Sequence, residues 1–428
     1  MSGGNIVVSG TNWAGNLTYG AERLVVAKSV AEAQAAVRNA DRLRVVGSHH
    51  SFNDIADTTG TQLSLEKMTS VVSLDTIRHR VTVEGGTRYS DIGPWLSQRG
   101  YALPNLATLP HLTIAGACAT ATHGSGSTLG NLATAVAAIE FIDAEGALVT
   151  LSRDTDGEVF PGAVVSLGAL GVITRLTLDL RRSFAMRQNV YCDLSIATLA
   201  ANFDEIMAAG YSVSLFTDWQ GDVIDQVWIK SEAKIGALFA GLKPFFGATP
   251  AVDKLHPIAS FNPVNCTEQM GEIGPSYDRL PNFRIDYVPT RGGDYQAEYF
   301  VAKEHAVAAI EALHRWGRNL SPLLLTSEIR TIAADDLWLS PCYGRPCVAF
   351  HFSFNPDQPA IMALLPGMEA ALAPFAPVPH WGKLFTMAPE TVRARFANLD
   401  RFKALLDRYD PLGKFRNGFV DRMIYGRA

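Results

Sequence analysis

At 428 residues the sequence is too long for one ordinary core, so it calls for two domains with room for a large ligand between them. With 47% hydrophobic and 18% charged residues, 36 Gly and 22 Pro, it excludes a disordered or coiled-coil chain and fits a turn-rich α/β or α+β enzyme. A net charge of -5 gives no basic field for nucleic acid, and five scattered cysteines without a CxxC pair offer neither a disulfide framework nor a zinc site, so small molecules are the expected partners and a reducing cytoplasm the expected setting.

The first residues hold no basic region followed by an apolar run, so no signal peptide is expected. Ser29-Val-Ala-Glu32 is a capping box that opens a helix ending near Ala40, and Leu43-Arg-Val-Val46 then reads as a buried strand. That strand runs straight into Gly47-Ser-His-His-Ser-Phe52, whose small residues let backbone N–H groups approach an anion. Residues 81–86 read as strand and turn, and 90–98 as a helix closed by Gly100. The stretch 106–130 has no amphipathic period, yet its Leu, Ile, Ala and Thr do not suit a flexible linker, so it is expected to be a loop hugging a flat cofactor. Strands are expected at 133–143 and 147–151, and another is entered through 168–174. The apolar run 161–174 is too short for a membrane span, which needs roughly 20 residues, so no membrane anchor is expected.

Beyond a boundary near Arg181, strand-like segments at 213–219, 226–230, 283–288, 295–300, 324–332 and 348–354 predict a large antiparallel sheet. Helices at 199–209, 304–318 and 359–373 would cover one of its faces. Three of these strands place polar groups two residues apart, and so on one face: Gln296 with Glu298, Glu328 with Arg330, His351 with Ser353. A half-exposed sheet commonly faces water in this way. A carboxylate, guanidinium, imidazole, amide and hydroxyl together also make a hydrogen-bonding wall suited to a polyol or sugar. Pro379-His-Trp-Gly-Lys383 adds a Lys that, if desolvated, could have a lowered pKa or stabilise negative charge. His50, read alone, is either a local capping residue or a cofactor attachment point. His49 and His50 make a poor metal site, since neighbours on an extended segment diverge and no third ligand is spaced nearby. Gly124-Ser-Gly-Ser-Thr-Leu-Gly130 misses the dinucleotide fingerprint, because Leu129 stands where a glycine is needed.

With Val46-Gly-Ser-His-His-Ser-Phe-Asn53, Pro104-Asn-Leu-Ala-Thr-Leu-Pro110, Ala115 to Gly126 and Gly168-Ala-Leu-Gly-Val-Ile173, the sequence resembles the vanillyl-alcohol-oxidase-type FAD enzymes. Asn265-Cys-Thr-Glu-Gln269, Glu328-Ile-Arg330, His351-Phe-Ser353, the 379–383 turn and Asp410-Pro-Leu-Gly-Lys-Phe-Arg-Asn417 resemble the alditol (xylitol) oxidase branch, which is related to the sugar-lactone oxidases. The resemblance covers nearly the whole chain. It implies an α+β fold with an FAD-binding domain of two α/β subdomains at 1–181, a substrate domain with a large antiparallel sheet flanked by helices at 182–378, and a C-terminal segment at 379–428 returning to the FAD domain.

It also implies FAD attached covalently through His50, the histidine before Ser-Phe. Val46, Gly47, Ser48, His49, Ser51 and Phe52 would lie around the cofactor, with Ala107, Thr108, Thr113, Gly116, Ala117, Thr120, His123 and Gly124 on the second loop and Ile173, His380 and Asn417 elsewhere. The small Ala107 would leave oxygen a path, favouring an oxidase. Thr108, Gln296, Glu328, Arg330, Ser353 and Lys383 would hold a polyol, His351 or Lys383 would take the hydroxyl proton, and Arg330 would favour the developing negative charge. Ser353 departs from the threonine expected there, keeping the hydroxyl and losing a methyl. The implied activity is oxidation of a terminal CH2OH to an aldose with O2 reduced to hydrogen peroxide, by a monomer that needs no metal. An aldonolactone oxidase or dehydrogenase is the nearest alternative, and a non-catalytic flavin- or sugar-binding protein a more distant one.

Overall fold

The computed structural model describes residues 10–234, 236 and 243–427. The signal-peptide reading rests mainly on residues 1–9, which lie outside the described residues. The first helix, Val30–Arg38, starts where Ser29 accepts the Glu32 amide at 3.2 Å; Glu32 reaches back to the Lys28 N–H at 2.9 Å, one residue earlier than a standard capping box. Ala33, Ala36 and Val37 of this helix pack with Leu43 and Leu63 over a parallel sheet, in which Thr61–Ser64 lies between Arg23–Val26 and Leu43–Val46. A separate antiparallel sheet runs in the order Val71–Asp75, Arg80–Glu84, Val172–Asp179, Val136–Ile142, Leu148–Ser152. Gly100, at φ 77, follows the helix Tyr89–Ser97 as expected.

The 106–130 stretch is not all loop, because Ile114–Ala119 is a helix. Ile114, Ala117, Cys118 and Ala119 are buried in it, and a helix enclosed on most sides has no polar face to give the sequence a period. Residues Leu132–Ala135 form a 3-10 turn, so the strand expected from 133 begins at Val136.

The second half folds into a nine-stranded sheet among the described residues. Its order is Thr249–Pro250, Ala185–Ser195, Val223–Ala233, Ser212–Thr217, Leu324–Ile332, Cys347–Phe354, Tyr295–Ala302, Val378–Pro379, with Gly274–Pro275 also beside Ala185–Ser195. Every pairing in it is antiparallel. Val213, Leu215, Val227, Ile229, Tyr299, Ile329, Phe350 and Phe352 form the apolar face, packed with Ile310 and Leu313 of Ala306–Trp316 and Ile361 and Leu365 of Gln358–Leu372. Burial contributes about 1.5–3 kcal/mol for each such large apolar side chain, enough to pin the register and force the alternate residues to the other face.

Two expected elements differ. The 199–209 helix is split into Ile196–Ala201 and Phe203–Met207, because Asn202 turns its side-chain amide onto the Thr198 carbonyl at 2.9 Å. The strand expected at 283–288 does not form; Phe283 makes one bridge to Cys266, and the Tyr287 N–H then folds back to the Arg284 carbonyl at 3.0 Å. After Val378–Pro379 the chain returns to the first loop, where the Phe52 N–H donates to the Gly382 carbonyl at 2.8 Å and the Asn53 amide to the Trp381 and Lys383 carbonyls at 2.9 Å each. Among the described residues, no helix is long and apolar enough to cross a membrane.

Candidate active site

Two adjoining cavities, of about 200 and 250 Å³, share Val45, Val46, Gly47, Ser48, His49, Gly116, Ala119 and Gly168 as walls. The expected residues His50, Ser51, Ala107, Thr108, Ala117, Thr120, His123 and His380 line the first, and Thr113 and Ile173 the second. The two glycine-rich loops meet too closely for side chains: a Cβ on Gly47 would stand 2.4 Å from the Thr113 hydroxyl oxygen. His49 sits at φ 59, in the left-handed region, and its ring goes to the Tyr19 hydroxyl at 3.3 Å.

The ring of His50 is tilted against Trp13 at 4.4 Å and meets His111 and Phe52 edge-on at 5.2 and 5.8 Å. Both of its ring nitrogens are out of water, and among the described residues neither has a hydrogen-bond partner. Burial, then His111, Lys383 and His351, push its pKa well below 6.5, so the imidazole is neutral. A buried, unpartnered ring nitrogen costs roughly 1–3 kcal/mol, and bonding it to a ligand removes that cost. The neutral ring, the close-set glycine loops and the small Ala107 and Ala117 fit a flat, phosphate-bearing cofactor such as FAD.

Four expected contact residues stand behind these walls rather than in them. Phe52, 1% exposed, packs edge-on to Trp13 at 6.3 Å. Gly124 is pressed against Asn105, whose side-chain oxygen a Cβ would meet at 2.4 Å. Asn417 caps Gly418–Val420 and donates to the carbonyls of Asp54, Ile55 and Asp57 at 2.9, 3.2 and 2.8 Å, fixing the loop after His50. Ser353 lies beyond His351, its hydroxyl 3.1 Å from Nε2.

The polar face of the large sheet forms the other wall. Its register sets Glu298 and Glu328 on either side of His351, and Gln296 opposite Ser353. Glu298, 1% exposed, is the hub: it accepts from Arg330 Nη2 at 2.6 Å, His123 Nε2 at 3.1 Å and Lys383 Nζ at 2.7 Å. Burial alone would raise its carboxyl pKa, but Lys383, Arg330 and His123 outweigh this and hold it well below 4.5. Lys383 also meets His351 Nδ1 at 2.7 Å. Burial lowers the pKa of Lys383 against the pull of Glu298, and burial followed by Lys383 lowers that of His351. Arg330 further reaches Thr108 at 3.4 Å, while Gln296 is tied to Asp294 at 2.8 Å. Two buried carboxylates thus face one guanidinium and one ammonium, a balanced set when the histidines are neutral.

Alternation places Glu298 on the polar face but not in the site, because its central role depends on His123, Arg330 and Lys383 converging from distant segments. It also misses Arg44, hidden inside an apparently apolar strand. Arg44 lines the first cavity, yet its guanidinium is spent on the carbonyls of Gly168, Phe415, Ile55 and Leu167, so it clamps backbone rather than holding an anion.

Residues 21–152 match the FAD binding domain family, and residues 291–423 the D-arabinono-1,4-lactone oxidase family. The chain is 42% identical to the alditol oxidase of a Streptomyces species over 97% of its own length and 99% of that protein. It is 29% identical to the L-gulono-1,4-lactone dehydrogenase of Mycobacterium tuberculosis, over 97% of this chain and 98% of that one. Cholesterol oxidase from Brevibacterium sterolicum shares the fold, with a TM-score of 0.78 at 15% identity, covering 99% of this chain and 98% of that one.

Proposed function

Because this chain belongs to the FAD-dependent oxidoreductase family of the Streptomyces alditol oxidase, we propose that it oxidises the terminal CH2OH of an open-chain polyol, such as xylitol or sorbitol, to the aldehyde and reduces O2 to hydrogen peroxide. FAD, when bound, supplies the hydride acceptor and the route of the electrons to O2. The observation that carries the reading is the wall itself, which brings acceptors (Glu328, Gln296) and donors (Arg330, Lys383) together on one cavity, as a chain of hydroxyls requires.

Glu328, Gln296 and Thr108 orient the hydroxyls, and Arg330 and Lys383 stabilise charge on the reacting oxygen. The 2.7 Å contact makes Lys383 and His351 a single titrating unit. The substrate hydroxyl gives its proton to Lys383 as Lys383 passes one to His351 Nδ1, and the imidazolium so formed is steadied by Ser353 at Nε2. The carbon-bound hydrogen leaves as hydride, so the alcohol loses two electrons and two hydrogens. Ala107, 2% exposed on the cavity wall, adds no bulk and favours O2 as acceptor. His50 is the covalent attachment point, supported by its two unpartnered ring nitrogens. Residues 1–181, 182–378 and 379–428 serve as cofactor, substrate and return segments.

The test compares peroxide release from xylitol or sorbitol with that from gulono- or galactonolactone. Release from the polyols is expected; turnover of lactones alone would replace this reading with the aldonolactone one, which the 291–423 family match favours. Anaerobic bleaching by a polyol, with yellow colour recovered in air, disposes of a non-catalytic binding role. For the flavin link, acid-denatured protein on a gel is expected to fluoresce with the polypeptide; free flavin beside a colourless band overturns it.

A further inference from the structure

The polar face of the large sheet does not end at the cavity. Lys230, 1% exposed, stands between Gln188 and Ser212 in the sheet register, one strand beyond Ser212–Thr217. Its Nζ lies 2.6 Å from the Leu280 carbonyl, 3.1 Å from the Pro281 carbonyl and 2.7 Å from Asn282 Oδ1. Three acceptors match the three N–H groups of an ammonium, which has no lone pair to offer. The side-chain oxygen of Asn282 therefore has to face Lys230, and this turns the Asn282 N–H group outward. That N–H donates to Glu328 Oε1 at 3.3 Å. Ser214 supplies a further hydrogen bond to Glu328, and Arg330 Nε lies 3.5 Å from its other oxygen.

We propose that Lys230 and Asn282 are positioning residues for Glu328: the buried ammonium fixes the amide, and the amide fixes the direction of the carboxylate that faces the substrate cavity. The segment carrying Asn282 is clamped from a second side. Thr267 Oγ donates to the Pro281 carbonyl at 3.0 Å and the Thr267 N–H to the Asn282 carbonyl at 3.0 Å. Gln269, two residues on, exchanges bonds with Leu255 at 2.9 and 2.7 Å. The Asn265-Cys-Thr-Glu-Gln269 motif thus acts as a brace for Asn282, which has no contact with the reacting atoms itself. Burial pushes the pKa of Lys230 down to about 7 against the pull of Glu328, so below that pH the amine is the ammonium whose three N–H groups these oxygens accept.

The readout rests on the polyol reading above, so wild-type holoenzyme is assayed first for anaerobic reduction by xylitol; if only a lactone works, the same cycle is run with that lactone, and the proposal is judged on coupling alone. Asn282→Asp keeps an oxygen for Lys230 but replaces the N–H that Glu328 accepts with an oxygen that repels it. It is expected to raise the half-saturating substrate concentration about 5- to 30-fold, with the limiting reduction rate within about 3-fold. Lys230→Met is expected to raise it similarly, with a lower thermal midpoint because three buried oxygens lose their donor. In a Glu328→Gln background, Asn282→Asp is expected to add less than about 2-fold. Full additivity with Glu328→Gln, or a loss of stability with substrate saturation unchanged, would overturn the proposal and leave Lys230 a folding peg.

Discussion

His50, half-buried with both ring nitrogens out of water, and His351, buried, line one cavity, and their surroundings are opposite. Among the described residues neither nitrogen of His50 has a hydrogen-bond partner, and its neighbours are the rings of Trp13, His111 and Phe52. Both nitrogens of His351 are engaged, by Lys383 at 2.7 Å and Ser353 at 3.1 Å. Burial lowers the pKa of each. The difference is that a ring left without partners is prepared for a bond from outside the protein, whereas a saturated ring can only pass on what its neighbours bring. Under the proposed function, one imidazole anchors the flavin and the other relays the proton.

The sharpest way to break this contrast is His50→Ala, which should abolish all fluorescence migrating with acid-denatured protein, while His351→Ala should leave it intact. Loss in both, or in neither, removes the distinction. Lys383→Met should slow anaerobic reduction by xylitol by about 10²- to 10⁴-fold with the flavin still bound, since it removes the cavity end of the relay. Glu298→Ala leaves Arg330 and Lys383 buried without their shared carboxylate and should lower unfolding stability by about 3–5 kcal/mol in a denaturant titration. The pair of Lys383 and His351 accepts a proton only while His351 is neutral, and its pKa lies below 6.5, so the reduction rate should be level above pH 6.5 and lost only on the acid side of the depressed value. A rate that instead climbs across the alkaline range would make neutral Lys383 the base. The mildest change is Ser353→Ala, which removes one hydrogen bond of about 0.5–1.5 kcal/mol and should cost a few-fold in rate, with Ser353→Thr close to wild type.

The periodic features were legible in the sequence. Alternation along Cys347–Phe354 gave the greasy and polar faces, and the same rule placed Gln296 with Glu298 and Glu328 with Arg330. Cross-strand register was not legible, and it is register that puts His351 between two carboxylates and makes Glu298 a hub. The Ile114–Ala119 helix was hidden because an enclosed helix carries no amphipathic stripe. Residues 283–288 have the composition of a strand, but a turn at Arg284 to Tyr287 takes their backbone bonds. Lys230 shares its face with Gln226 and Trp228, so its orientation could be read; that its ammonium would find three oxygens from 280–282 could not.

The seam between the first loop and the returning chain has a further consequence. The residues just after His50 are tied to Trp381, Gly382 and Lys383 by three hydrogen bonds, each of about 1 kcal/mol. His50 and Lys383 therefore sit on two loops stitched edge to edge, and the stitching holds the span between them. A hinge that parted the two loops would have to undo that stitching at every turnover, so substrate is better admitted through the mouth of the cavity. Changing which alcohol fits is then a matter of reshaping side chains on a stationary frame.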